Sequence, residues 1–336
     1  MKFTDIITAP DLIDYRTAKG TPSFFLDALF GERKLKSNRL LTAVDENQLP
    51  IMANIHSAEA EADRVSYSSK FQDAEFFNYR QKQVITAEQL QEYNAASPLE
   101  RDFLLDNIFA AGVNTTNAIH YALELARVQA LTKGKYTAKT SGGGKDTVYD
   151  YKLDKSQNIG AVDFSDDSFD PIQYLMDAVN GSNYELTRGL LSKKGYAALL
   201  SNEQVIKRVL GSNATVHSVL PSQLEQFLTA QGLPLLMAYK GSYATKDEKG
   251  NVITKSFIDD DAFSLFGDGK LGDTVYGVTP EESSQINDGA NVSNAGNIML
   301  TAFTKQDPIE NIILATSMAT VTLAQRNQML IGKVLK

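Results

Sequence analysis

The chain lacks cysteine and tryptophan altogether, and it carries only three histidines in 336 residues. Without cysteine there are no disulfides, thiolate nucleophiles or cysteine-ligated zinc sites, so the fold rests on non-covalent contacts unless an isopeptide bond forms. His56, His120 and His217 stand in unrelated contexts, and none makes the His-Glu-x-x-His spacing of a zinc-binding helix. No apolar run reaches the roughly 18 residues of a membrane span, and the N-terminal residues lack the apolar core of a secretory signal. The expectation is a protein made and used in a cytoplasm. Positive charge is also short: 33 Lys and Arg against 41 Asp and Glu leave a net charge of -8. A dedicated nucleic-acid binder needs clustered cations to neutralise phosphates. An acidic wall can still enclose nucleic acid, because mild repulsion lets a polymer slide past it.

What is present is ordinary globular material. Hydrophobic residues make up 43% and charged residues 22%, enough for a packed core, and the length suits two domains or one elaborated domain. Residues 1–45 show short apolar clusters (Phe24 to Leu26, Leu29-Phe30) between charged runs, read either as an extended arm docked elsewhere or as a locally packed loop region. From Glu46 to about Val84 the chain is polar with interspersed aromatics. The alternation Arg64-Val-Ser-Tyr67-Ser-Ser-Lys70-Phe71 suits a two-stranded ribbon that needs a neighbour to be stable.

Ser97-Pro98-Leu-Glu100 is the strongest helix start: a capping serine, proline at the first helical position, and a glutamate that reaches back. Leu104, Ile108, Thr115, Ile119, Leu123, Ala126 and Ala130 follow at three- and four-residue steps, and Gly134 closes the helix. The weak stretch is Gly112 to Asn117, where a bend is expected. Strands flanking Ser141 to Gly144 predict a hairpin with a flexible tip. Three short helices are expected, beginning near Asp170, Ser201 and Ser222 and ending near Gly181, Gly211 and Gly232. A second hairpin turns at Lys246 to Asn251 with Gly250 at positive φ. Ile298 to Thr304 and Asn311 to Thr316 are β-prone. The separation of helix-rich and strand-rich stretches predicts an α+β architecture rather than repeating βαβ units.

Catalytic constellations are weak. Ser141-Gly-Gly-Gly-Lys145 has Asp146 where a phosphate loop needs Ser or Thr. Asp166-Asp167 and Asp259 to Asp261 lack the spacing of a calcium loop, so solvated loop or subunit rim is the better reading than metal or acid–base work. No Gly-x-Ser-x-Gly elbow exists. No catalytic residue, cofactor or metal ligand is assigned, although a hydrolase or transferase using the acidic clusters stays as a competing class.

Several stretches resemble the lambda-like capsid protein E family of tailed phages. They are Leu123-Glu-Leu-Ala-Arg-Val-Gln-Ala-Leu-Thr-Lys-Gly-Lys135, similar to its helix-to-strand junction; Gly272-Asp-Thr-Val-Tyr-Gly-Val-Thr-Pro-Glu281, similar to an outer-domain loop; and Asp307-Pro308 with Ala315 to Ala319, similar to its C-terminal strands. Ala319 to Thr322 departs from it, since such proteins often carry prolines there. The resemblance implies a Hong Kong ninety-seven type fold: an N-terminal arm (1–44), an extended loop (45–88), a peripheral domain with a spine helix (89–162), an axial domain (163–299) and C-terminal strands returning to the peripheral domain (300–336). It implies a major capsid protein that assembles with itself as hexamers and pentamers into an icosahedral shell in the virion. The shell would enclose double-stranded DNA without sequence-specific binding and touch no membrane. A portal protein, a decoration protein in some systems, and a separate scaffolding protein are the further partners, the last because no acidic coiled-coil prefix precedes the arm. Arg64, Tyr67, Lys70, Phe71, Phe76 and Tyr79 are the expected subunit-interface residues. An encapsulin-like compartment shell and a tail-tube subunit are the alternatives.

Overall fold

The structure, a computed structural model, describes residues 8–45, 69–139, 145–247, 249–283, 291–306 and 309–335. Its longest element is helix α3 (Pro98–Lys133). The Glu100 carboxylate accepts from the Ser97 N–H at 2.8 Å and from the Ser97 hydroxyl at 2.7 Å. Gly134, at φ +63°, donates its N–H to the Ala130 carbonyl and ends the helix. The stretch expected to bend runs through as helix. Gly112 is there for close approach: a Cβ would lie 2.7 Å from Leu12 Cδ2. Leu12 belongs to α1 (Ala9–Lys19), which Thr8 caps and which packs across α3. Thr115 and Thr116 bond back to the carbonyls of Gly112 and Val113, so their hydroxyls are satisfied inside the helix. Neither α1 nor α2 (Ala87–Ala95), capped by Thr86, is foreseen in the sequence reading.

Helix α3 lies on a six-stranded sheet whose long member is β16 (Ile309–Leu323). β15 (Ile298–Gln306) and β4 (Phe77–Ile85) pair with it antiparallel, as does β13 (Gly272–Tyr276) further along. Ala319 is opposite both Phe77 and Tyr276, so β4 and β13 flank different edges of β16. β1 (Phe30–Lys34) adds parallel to β13, and β14 (Asn291–Ala295) pairs with β15. Ile119 and Leu123 of α3 are buried against Ile313, Ala315, Ile298 and Leu300 of this sheet, each contributing about 1.5–3 kcal/mol by leaving water. With no proline between Ala319 and Thr322, every amide of that stretch can donate, and β16 continues unbroken to Leu323.

A second sheet runs β7 (Asn158–Ala161), β17 (Met329–Lys333), β12 (Ala262–Phe266), β8 (Arg188–Leu191), β9 (Leu235–Ala238). It packs with α4 (Pro171–Asn180), α5 (Lys193–Ser201), α6 (Glu203–Leu210) and α7 (Pro221–Ala230) around Phe164, Ile172, Leu199, Leu224 and Phe263. Three expectations are corrected here. Asn202, rather than Ser201, caps α6, because Ser201 closes the unforeseen helix α5; the Asn202 side chain accepts from the N–H of Gln204 and Val205. α7 starts at Pro221, one residue before Ser222. Sheet membership also departs from the loop expected at residues 272–281. Residues 272–276 form an inner strand of the spine-side sheet rather than an outer-domain loop, and β17 belongs to the sheet of the helix-rich region. Packing selects these partners: Gly272 lets β13 approach so closely that a Cβ would lie 1.8 Å from the Thr322 carbonyl oxygen.

Three two-stranded hairpins complete the chain: β2 (Leu40–Asp45) with β3 (Ser69–Ala74), β5 (Lys135–Ala138) with β6 (Thr147–Asp150), and β10 (Ser242–Lys246) with β11 (Val252–Ser256). The last turns through Gly250 at φ +86°, as the sequence predicts.

Candidate assembly surface

Of the residues expected at an interface, Arg64 and Tyr67 lie outside the described residues. Lys70 and Phe71 sit on β3, opposite Val44 and Ala43 of β2. Phe76 packs with Leu40 and Val275. Tyr79 lies on β4, and nine paired residues fix β4 to β16, so its alternate side chains face α3. The Tyr79 hydroxyl donates to the Tyr136 hydroxyl at 3.1 Å, and burial pushes its pKa well above that of a free tyrosine. Phe76 and Tyr79 thus make contacts within their own chain while part of each side chain stays exposed.

Other apolar side chains have no cover. On the first turns of α3, Leu99 is 83% exposed and Phe103 68% exposed; one helical turn apart, they present one apolar step to solvent. Val216 and Leu220 do the same before α7, as do Val148 on β6 and Val252 on β11. Among the described residues, the outer edges of β9 and β14 pair with no further strand. Such features are liabilities for a lone subunit and are suited to being covered by another chain.

Beneath the surface, a buried polar cluster joins separate parts of the chain. Arg127 of α3 donates to Thr274 of β13 at 2.9 Å, to Glu124 at 3.2 Å and to Asp27. The Tyr239 hydroxyl donates to the other oxygen of Glu124 at 2.5 Å. Burial raises the Glu124 pKa against the opposing pull of Tyr239 and Arg127, and burial with Glu124 nearby raises that of Tyr239. His120, one turn before Glu124, meets the Arg16 guanidinium at 3.1 Å; burial, Arg16 and Arg127 lower its pKa to about 4. The cluster ties residues 16–27 to the spine helix, to the strand of Thr274 and to the loop of Tyr239. Sequence reasoning missed it. The available signal was a charged pair, Glu124 and Arg127, set three apart on the helix face that Leu123, Ala126 and Ala130 make apolar.

The acidic triplet is ion-paired within the chain. Asp259 pairs with Lys133 at the end of α3, Asp260 with Lys194 of α5, and Asp261 with Lys333 of β17, the first and last at 2.7 and 2.6 Å. Three elements are thereby pinned to one exposed loop, while Asp166 and Asp167 accept from the N–H of Ser168 and Glu203. No group of three or more His, Asp or Glu suited to a metal exists among the described residues, and no helix among them is long and apolar enough to cross a membrane.

The model of the phage major capsid protein E family matches residues 13–331. No curated protein sequence matches the chain. A capsid protein of an Escherichia coli CFT073 prophage is similar in structure, with a TM-score of 0.62 at 15% identity over 98% of this chain and 99% of that one. A phage-related protein from Bordetella bronchiseptica RB50 gives 0.57 at 12% identity, over 97% and 96%. At these identities the likeness is one of fold, and the fold is the Hong Kong ninety-seven type expected from the order of arm, ribbon, spine helix and strands. With the family model spanning the spine helix, both sheets and the hairpins, the chain belongs to the phage major capsid protein E family and is a head-shell protein.

Proposed function

We propose that this chain builds the closed icosahedral head of a tailed bacteriophage around double-stranded DNA, meeting copies of itself in hexamers and pentamers. In this reading it assembles in the host cytoplasm with a scaffolding protein and a portal protein. The family match over nearly the whole chain carries the proposal, and the uncovered apolar side chains supply its physical basis. Head-to-tail contacts between different surfaces of one chain close into rings, and rings into shells. Arg64, Tyr67, Lys70 and Phe71 remain the proposed contacts of the ribbon, joined by Leu99 and Phe103 of the spine helix. The role is structural, with no catalytic step. A net charge of -8 suits a wall that holds DNA weakly and without sequence preference.

Negative-stain microscopy of the chain coexpressed with its scaffold is expected to show uniform closed particles. A persistently monomeric protein with measurable small-molecule turnover would overturn the reading. Particles that copurify with an enzyme cargo from a phage-free host would redirect it to a compartment shell.

A further inference from the structure

Neither α2 nor residues 98–111 of α3 contain a buried residue; the first buried position of the spine helix is Gly112. The two helices form an elbow at the margin of the core, braced where Arg101 donates to the carbonyls of Tyr93 at 3.2 Å and Asn94 at 2.8 Å. Leu99 and Phe103 stand one turn apart on its outward face. At 3.6 residues per turn, Asp102 lies on one side of that row and Glu100 on the other. Glu100 spends only Oε2 on Ser97. Glu88, Glu92 and Asp106 add to the acid of residues 86–110, whose one cation, Arg101, is taken up by the brace. The elbow is therefore apolar along its outward row and acidic on both flanks.

The other half of the same helix carries the matching surface. A groove of about 900 Å³ lies between α3, β5 and the β10–β11 hairpin. Tyr121, Ala122 and Leu125 make its floor, and Ala118 and Ala122, one turn apart, keep that floor low enough for a helix to lie against it. Each wall carries a lysine. Lys139 follows β5, and Lys255 is the cross-strand partner of Tyr243, so Lys255 and Tyr243 leave the hairpin from one face. The Tyr243 ring lies 5.1 Å from that of Phe257, and the Tyr121 ring lies 5.9 Å from it, which turns that face toward the floor. Lys246 leaves the opposite face and takes no part. Lys133 is engaged by Asp259, whereas Lys139 and Lys255 have no ion pair among the described residues.

We infer that the elbow of one copy lies in the groove of the next, with Leu99 and Phe103 on the Tyr121–Leu125 floor and the Glu100 and Asp102 carboxylates against the lysines of the two walls. Row and floor are both apolar, and acid flanks the row as lysine flanks the floor. The contact joins two different surfaces, so it runs head to tail and can close a ring. No chain can fill its own groove, because residues 99 and 122 are about 35 Å apart along one helix at 1.5 Å per residue. A nucleic acid would use the lysines but leave Leu99 and Phe103 in water. The inference rests on the self-assembly proposed above and names the surface that receives the spine helix.

Because the chain has no cysteine, Leu99→Cys with Ala122→Cys reads the contact directly in the full chain coexpressed with its scaffold. Phe103 stays in place as the apolar anchor. A short bismaleimide added to the particles is expected to give a ladder of covalent oligomers on a denaturing gel, since the two positions are too far apart to link within one chain. Particles that give no ladder, or dimers formed by Leu99→Cys alone, overturn the inference. In the same background Asp102→Lys should weaken the ladder at least tenfold, and either Lys255→Glu or Lys139→Glu should restore it, according to the direction of the docked helix; circular dichroism identifies folded variants. Restoration by neither overturns the inference, as does a ladder suppressed by duplex DNA but not by Asp102→Lys. Shells without the ladder leave the shell role standing, whereas an unaltered chain that never assembles removes the shell role itself.

Discussion

The two sheets of this protein solve the burial problem in opposite ways. The five-stranded sheet and its four helices draw almost entirely on residues 158–266, plus one later strand, and close an apolar core in which Phe164, Ile172, Leu199 and Phe263 have no measurable exposure. The six-stranded sheet collects strands from residue 30 to residue 323, and part of its connection to the spine helix is a buried charge cluster. It also leaves Leu99 and Phe103 uncovered on the helix above it. The first region closes a continuous apolar core from nearby stretches of chain, although Val216 and Leu220 stay exposed at its rim. The second holds distant parts of the chain together and leaves apolar surface for something else.

That contrast can be broken at four places. The largest effect is expected in the self-contained core, where Phe263→Ala should cost about 4 kcal/mol through lost burial and the cavity left behind; urea unfolding of the subunit measures it, and a loss below about 1 kcal/mol would mean that the core repacks easily. Arg127→Met should come next, at about 3 kcal/mol, because it leaves Glu124 buried without its cation. Adding Glu124→Gln should recover part of that loss, and a double variant no more stable than the single one would show that the charge pair is not the cause.

His120 gives a third, pH-dependent test. Its folded pKa of about 4 lies below the ordinary 6.5. The folded state therefore resists protonation, and the stability this contributes is fully present above pH 6.5 and is lost as pH falls from there toward 4. The loss should be on the order of 2–3 kcal/mol. His120→Gln should flatten the stability profile in that window, and an unchanged slope would assign the acid sensitivity to other groups. The smallest effect on the subunit is expected for Leu99→Ser with Phe103→Ser, within about 0.5 kcal/mol of the parent because both side chains are already in water. The same variant should reduce particle yield in microscopy; full yield would remove these residues from the proposed interface.

The spine helix was legible because its signals are local and agree: Ser97, Pro98, Glu100 and Gly134 each occupy the position their chemistry favours. The turn at Gly250 and the strands after Ile298 were legible for the same reason. Short helices such as α1 and α5 were not, since two or three turns are held mainly by packing and leave little periodicity to read. Sheet membership was hardest. Nothing in Gly272 to Tyr276 announces whether it pairs with β16 or lies in a loop; its place depends on Thr322, about fifty residues away. For the candidate surface, the aromatic content of residues 67–79 was visible, but which aromatics face inward depends on the register of β4 against β16.

The position of β17 has a consequence for timing. In the five-stranded sheet, Met329–Lys333 lies between β7 and β12, yet the ribosome makes it more than sixty residues after β12 ends at Phe266. Until that strand emerges, β7 has no neighbour and β12 has an unfilled edge, so a nascent chain cannot present the finished surface of this region. Until then the open edge of β12 is a template that another nascent chain can pair with, and the emergence of β17 is the step that closes it.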